Sequence, residues 1–581
     1  MRTNSRAFLL LGIVLATAAT FSGVLTADFV AWDDDLEVFA NPHLTGLGVR
    51  SLRWMFLEPG YVVRYQPFTW LTWNTIVALF GVRAAAFHAA NLLFHCANAA
   101  LVFVLIEQLL RAGFSRRERP VSEPVLLLCA AWGALFWALH PLRVEPVAWV
   151  SAFLHCQALF FLLVAAVTYL RAAAAATPAR FARRLYWTSV LSFLVSLLSY
   201  PVGIGFIFVP IVFDLFVLRR LDFSFASFLD GTRWRIWLEK LPFLLAAGVV
   251  LGITLLLRYH VGAEWPKPPT LAEFGLLPRL MQASYMWIYC LWRHLWPLDP
   301  APVYTTFINF DPLSPPFVSS LVLVVLLTWL FLRRLCRTHP GLAAGWLCHL
   351  ILLGPVLGLT ERPHFPSDRY SLLSAIVLSA LLAASLLVWS EQASRRLAII
   401  SGAAGILVLC AFLSASQVRV WHNSLSLFTH TIGALGNDPY RSDIYLRLGI
   451  VLEGRKETDR ARLAFLGALE ANPANQTARW RLAQAESDSG LWTRARSEYL
   501  KLLESQPANP TFHNSLGVTE IHLGQLAAAA NSFSNAARLD PGSAVAQFNF
   551  GLALQQLGRT NESRRHLENA EKLRAGTAAR P

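Results

Sequence analysis

The sequence predicts an all-α protein in two parts: a polytopic helical membrane domain of about eleven spans, then an α-solenoid of repeated helix pairs. Three observations lead there. Charged residues make up 15% of the 581-residue chain against 55% hydrophobic ones, with a mean hydropathy of +0.46. A soluble domain carries about a quarter charged residues. Apolar runs close to the ~20 residues that cross hydrocarbon recur over the first 416 positions. Beyond them, prolines return at a fixed interval of 34 residues.

The first run, 7–27, follows Arg2 and Arg6. It is longer than a signal-peptide core and many spans follow it, so it reads as a span. The acidic segment from Asp28 to Glu58 then lies outside. Further spans are expected at 86–107, 124–140, 152–170, 185–200, 201–218, 241–257, 317–332, 341–359, 371–389 and 397–416. Between them stand Arg116-Arg117, Arg183-Arg184, Arg219-Arg220, Arg333-Arg334 and Arg395-Arg396. Short basic loops stay cytoplasmic during insertion. One topology puts every pair inside, with the N-terminus cytoplasmic and the C-terminus outside. The net charge of +14 is thereby a topology signal rather than a nucleic-acid patch. Residues 276–296 carry Arg279, Arg293 and His294, and counting them as a span would place Arg333-Arg334 outside. They are expected to be re-entrant or interfacial, as are residues 67–80. The seven cysteines show neither zinc spacing nor a disulfide framework.

The prolines are Pro439, Pro473, Pro507 and Pro541, the tetratricopeptide period. Gly449, Ala483, Gly517 and Gly551 occupy the small site where two helices of a repeat cross. Ala461, Ala495, Ala529 and Ser563 hold the small site on the second helix. Phe465, Tyr499, Phe533 and Leu567 are expected to fill the space between repeats. Each proline ends a second helix because it cannot donate the next backbone hydrogen bond. The boundaries expected are a membrane domain over 1–420, a linker over 421–441 and four repeats over 442–577. Such solenoids present a concave surface to partner proteins.

Three outer segments carry candidate chemistry. The first reads Trp32-Asp33-Asp34-Asp35, where the chain leaves the first span. A carboxylate beside the headgroups can act as general base on a hydroxyl or hold a divalent cation through oxygen. The second runs from His140 through Arg143 and Glu145 to Trp149, and the third is Asp368-Arg369-Tyr370. Ionisable residues at membrane depth are functional candidates by default, and a guanidinium matches phosphate oxygens. All three fall on one face under the topology above, which suggests chemistry on a lipid-linked phosphate.

These segments also carry a resemblance, together with Asn41-Pro42-His43, Tyr65-Gln66-Pro67-Phe68-Thr69 and Phe87-His88-Ala89-Ala90-Asn91-Leu92-Leu93-Phe94-His95. The chain resembles the membrane O-mannosyltransferases that join transmembrane spans to tetratricopeptide repeats, and their bacterial relatives, in the GT-C class of glycosyltransferases. The resemblance runs over nearly the whole chain. It implies transfer of a sugar, mannose-like, from a polyprenyl-phosphate donor to a hydroxyl of a protein or envelope acceptor on the non-cytoplasmic face. It implies that Asp34 or Asp33 is the catalytic base and that direct displacement inverts the sugar carbon. Arg143 and Arg369 would take the leaving phosphate. His140 and Glu145 would position the donor or a cation, with Asp35 as metal ligand or support; a divalent cation is the one cofactor left open. The repeats would lie in the periplasm if the source is bacterial, in the endoplasmic reticulum lumen if it is eukaryotic, and would bind the acceptor or a partner.

Two departures stand out. After Trp149 the family continues with a small, a basic and an acidic residue, where this chain has Ser151-Ala152-Phe153-Leu154-His155-Cys156. Gln66 stands where relatives often carry arginine. The competing reading is a non-catalytic membrane scaffold whose repeats recruit partners. A transporter is disfavoured, because transport sites lie near the bilayer midplane and the spans hold few paired charges.

Overall fold

The computed structural model describes residues 2–58, 61–115, 121–174, 177–222, 233–260, 269–298, 300–308, 310–359, 365–390 and 396–578. Every regular element among them is helical. The chain divides into two compact units, Met1–Leu427 and Phe428–Pro581. The stretch 421–441, expected as a linker, is largely the helix Ser424–Leu435. Of the basic pairs, Arg116-Arg117 and Arg395 lie outside the described residues.

Among the described residues of the first unit, seven helices are long and apolar enough to cross a membrane: Ser5–Thr26, Ala84–Phe114, Val150–Ala172, Trp234–Leu257, Pro315–Leu335, Asp368–Ser390 and Leu397–His422. An eighth is the pair Glu123–Leu139 and Pro141–Ala148, bent by 59°. The chain is thus a multi-pass membrane protein with seven or eight candidate spans among the described residues, against the eleven expected. The difference lies at 185–200, 201–218 and 341–359. The helix Ala179–Ser199 is long enough, but Arg180, Arg183 and Arg184 occupy its first turns. Tyr200 is extended at φ −165°, and Pro201 starts a new segment of mixed 3₁₀, α and π turns that ends at Val217. Pro201–Val217 and Pro340–Val356 are both short apolar helices. They pack so closely that a Cβ on Gly205 would lie 2.4 Å from the Ile351 carbonyl. Residues 276–296 form the helix Leu276–Leu295, and 67–80 the helix Pro67–Phe80; neither is among the candidate spans.

Lipid offers backbone no hydrogen bonds, so a bent span must find internal partners for the carbonyls it frees. The Ala84–Phe114 helix supplies them. Asn91 Nδ2 donates to the carbonyls of Val147 (3.2 Å) and Trp149 (3.1 Å), and Asn98 Nδ2 to that of Cys156 (2.9 Å). Similar bonds join other helices: Ser196 to the Ala158 carbonyl, Ser414 to Leu139 and Trp137 to Leu372. The broken turn 140–152 is therefore held rigidly, and the site is built around it.

The second unit stacks four helix pairs, beginning Arg441–Gly454 with Thr458–Ala471 and ending Ala544–Gln556 with Thr560–Ala578. Second helices stop at Ala471, Ser505 and Leu539, two residues before each proline. Asn475, Asn509 and Ser543 then cap the following helices through their side chains. A Cβ on Gly449 would meet the Phe465 ring at 2.3 Å, so the aromatic covers the small residue of its own repeat. Tyr499 also shares a hydrophobic cluster with Phe512 and Leu516 of the next one. The turn inside the last three repeats uses left-handed Gly490, Gly524 and Gly558 (φ 71–78°); the first repeat has Lys456 at φ 62°. A Cβ is disfavoured there. Lys456→Gly is expected to stabilise the first repeat by roughly 1 kcal/mol, read as greater amide-exchange protection across Arg441–Ala471.

Candidate functional site

The first outer segment is tied down before its acids begin. Asp28 N–H donates to the His422 carbonyl (2.8 Å) and Ala31 N–H to Ser424 Oγ (2.9 Å). The chain then closes into a single π turn, Asp35–Phe39. Such turns recur at functional sites. Within this tight winding the three neighbouring carboxylates differ in burial. Asp34 is fully buried: Oδ1 accepts from Ser151 N–H (2.8 Å) and Ser151 Oγ (2.5 Å), and Oδ2 from Val30 N–H (2.9 Å). It pins the outer segment to the turn after Trp149. Asp33 is half-buried, and its charge acts on Asp34, Glu37 and Arg64. Asp35 is half-buried at the start of the π turn, with Oδ1 buried and no hydrogen-bond partner for it among the described residues.

Glu37 and Arg64 complete this group, and sequence reasoning missed both. Glu37 is buried and ion-paired with Arg64, and Gln66 is buried beside it. The charge of Arg369 and the phenol of Tyr200 also act on Arg64. Tyr200 acts on Arg369 in turn, and the His155 ring packs against Tyr200 with centroids 4.7 Å apart. Two guanidiniums, Tyr200, His155 and the Asp33 carboxylate thus share one neighbourhood. His155, standing in the departure after Trp149, belongs to it.

Arg369 is held from three sides. Glu145 forms an ion pair with its guanidinium and accepts its backbone N–H at 3.0 Å. Ser367 Oγ bonds to both Glu145 oxygens, at 2.7 and 2.9 Å. The guanidinium lies over the Trp149 ring (5.0 Å) and the Tyr370 ring (4.8 Å). Glu145 is therefore engaged in orienting Arg369.

Arg143 and His140 sit deeper. Arg143 is fully buried, with Nη2 at 3.1 Å from His294 Nε2 and 3.0 Å from Ser371 Oγ, while Nε and Nη1 are buried with no hydrogen-bond partner among the described residues. His140 Nδ1 accepts from Leu142 N–H (3.3 Å) and Nε2 lies 3.2 Å from the His294 carbonyl, so it caps its own turn. Ser371 links this group to the Arg369 segment, its hydroxyl donating to the Asp368 carbonyl at 2.6 Å. His294 and Ser371 carried no local motif. Their role follows from helix packing alone.

The acidic triplet does not suit a divalent cation. Such ions take several oxygens converging on one point, and Asp34 is turned away into three hydrogen bonds. Among the described residues, no three His, Cys, Asp or Glu side chains are arranged around a metal position.

Burial pushes the Asp34 carboxyl up to about 7, against the pull of Ser151 and Val30 and with a push from Asp33. Burial pushes Glu37 up to about 7 too, against Arg64. An unfolded carboxyl titrates near 4, so between about pH 4 and 7 the folded form keeps protons the unfolded form has lost. The contribution of these groups to stability is full below about pH 4 and is lost as pH rises through 7. Protection of the Ser151 and Val30 amides, corrected for intrinsic exchange, is expected to be greater at pH 5 than at pH 8. Asp34→Asn is expected to cost roughly 1–3 kcal/mol, by turning an amide N–H₂ toward a donor, and to flatten that dependence.

A tetratricopeptide-repeat family model matches residues 446–510 and 480–544. The chain also resembles solved structures of MamA. A double mutant of the RS-1 protein is 18% identical over 27% of this chain and 86% of that one, with a TM-score of 0.26. MamA from Desulfovibrio magneticus RS-1, from residue 41 on, is 18% identical over 26% and 85%, with a TM-score of 0.25. MamA of AMB-1 is 24% identical over 26% and 91%, with a TM-score of 0.24. No curated protein sequence matches the chain. Tetratricopeptide repeats mark the second unit as a protein-interaction module.

Proposed function

We propose that this chain is an inverting membrane glycosyltransferase of GT-C type. It takes a sugar, mannose-like, from a polyprenyl-phosphate donor and passes it to a hydroxyl of a protein or envelope acceptor on the non-cytoplasmic face. One observation carries the reading: the charges of Asp33 and Arg369 both act on Arg64, and each guanidinium is oriented by a carboxylate of its own, Glu37 or Glu145. Asp33 accepts the acceptor's hydroxyl proton while that oxygen attacks the anomeric carbon. The bond from that carbon to the phosphate oxygen breaks on the opposite side, and polyprenyl phosphate leaves with the electron pair. Arg369 and Arg64 stabilise the charge that develops there. The repeats hold the acceptor or a partner protein.

The test is sugar transfer by the full chain, reconstituted in liposomes with polyprenyl-phosphate sugars and a hydroxyl-bearing peptide. Product with inverted anomeric configuration is expected. A chain that transfers from no donor, yet captures proteins through its repeats, is the scaffold instead. The repeat match favours that second reading to this extent: it speaks for protein binding and is silent on catalysis.

A further inference from the structure

A cavity of about 580 Å³ lies away from Asp33, along the helix Ser371–Ser390. Its lining follows that helix from Leu373 to Val388, about 22 Å at 1.5 Å per residue. Nearly all of it is aliphatic or aromatic. The polar exceptions, Arg219, Thr338, His339 and Ser385, stand together at the end farthest from Arg369. We propose that this cavity is a lipid site: one hydrocarbon chain of an anionic phospholipid fills it, and the headgroup phosphate is bound by Arg219.

Two independent features of Arg219 point to a ligand. It is exposed, and among the described residues its side chain makes no hydrogen bond or ion pair. Its neighbour Arg220, by contrast, is committed to Asp214 and Glu239. Arg219 also holds φ at 54°, a left-handed backbone that an arginine adopts only under strain. A strained cation, unpaired among the described residues and lining an apolar cavity, is the arrangement that would hold an anion whose tail enters the cavity.

The bilayer decides which part of the lipid is selected. A hydrocarbon chain gains little by leaving other tails for an apolar cavity, but a cavity left empty forfeits the dispersion contacts of its walls. Any chain will therefore fill the space, and preference rests on the headgroup. A guanidinium meets phosphate oxygens in a fork of two hydrogen bonds. His339 and the exposed Arg337, which precedes Thr338, add positive or donor character at the same end. A choline headgroup would bring its own cation against them; phosphatidylglycerol would not. The proposal is independent of the transferase reading, since it uses no residue of that site.

The test is native mass spectrometry of the full chain in detergent, with phosphatidylglycerol, phosphatidylcholine and a polyprenyl phosphate offered in competition. The wild type is expected to retain phosphatidylglycerol over phosphatidylcholine by roughly tenfold. Arg219→Gly suits the left-handed backbone, so the fold is kept; lipid should still be retained but with that preference near unity. Ala384→Phe, which projects a ring into the cavity, should lower retention of both lipids several-fold, with Ala380→Leu as a milder variant should the first not fold. A preference unchanged in Arg219→Gly, or retention unchanged in both cavity variants, overturns the proposal. Displacement of phosphatidylglycerol by the polyprenyl phosphate would overturn it in favour of the donor's own chain.

Discussion

Replacing Asp33 by Asn is expected to lower sugar transfer by roughly 10²- to 10⁴-fold, the range spanned by general-base catalysis, with the fold and donor binding unchanged. The choice of Asp33 over its neighbour rests on the burial of each and on the bonds that hold Asp34. A base needs a lone pair directed at its substrate, and Asp34 is fully buried with three donors on its two oxygens. Asp33 is half-buried two residues before the π turn, among the charges of Glu37 and Arg64. Asparagine keeps its shape but cannot take a proton, and it also removes the charge that acts on Asp34, Glu37 and Arg64. Asp34→Asn should also lose transfer, but together with amide protection at Val30 and Ser151. Comparing the two variants by activity and exchange separates the base from its support. Transfer at the wild-type rate in Asp33→Asn, in a preparation where Asp34→Asn has lost its protection, would remove Asp33 from the mechanism.

The repeats were legible because their physics is local. A small residue facing an aromatic ring, a proline after each second helix and a polar cap two residues later recur with the period of the unit. The span count was less legible, because an apolar run says nothing of where its helix starts and stops. Pro201 and the extended Tyr200 restart the chain in the middle of a continuous apolar stretch, and three arginines sit inside what had read as a flank. At the site, residue types at the interface were visible but depth was not. Arg143 and Arg369 look alike in sequence. One is sealed behind His294 and Ser371, and the other lies across two aromatic rings with part of its surface open. Arg64 escaped notice because its partner, Glu37, is 27 residues away. No periodicity links a π turn to the loop that covers it.

The Arg369–Glu145 pair supplies the other large effect. Arg369→Lys is expected to lower kcat by roughly 10²-fold with a smaller change in KM, since a group that meets charge formed on the leaving phosphate acts in the transition state. Lysine keeps the charge but cannot lie flat between Trp149 and Tyr370 while presenting a planar fork. Glu145 is a positioning residue: with Ser367 it fixes the guanidinium and the backbone at Arg369. Glu145→Gln should therefore lower kcat by about tenfold, through Arg369. If that is how it acts, the effects will not add: Glu145→Gln in the Arg369→Lys background should cost little more than Arg369→Lys alone. Full additivity in this cycle, with both variants folded, would mean that Glu145 touches the reaction by another route. An unchanged kcat in Arg369→Lys would leave the leaving phosphate to Arg64, the other guanidinium of the cluster, and Arg64→Lys would then carry the loss.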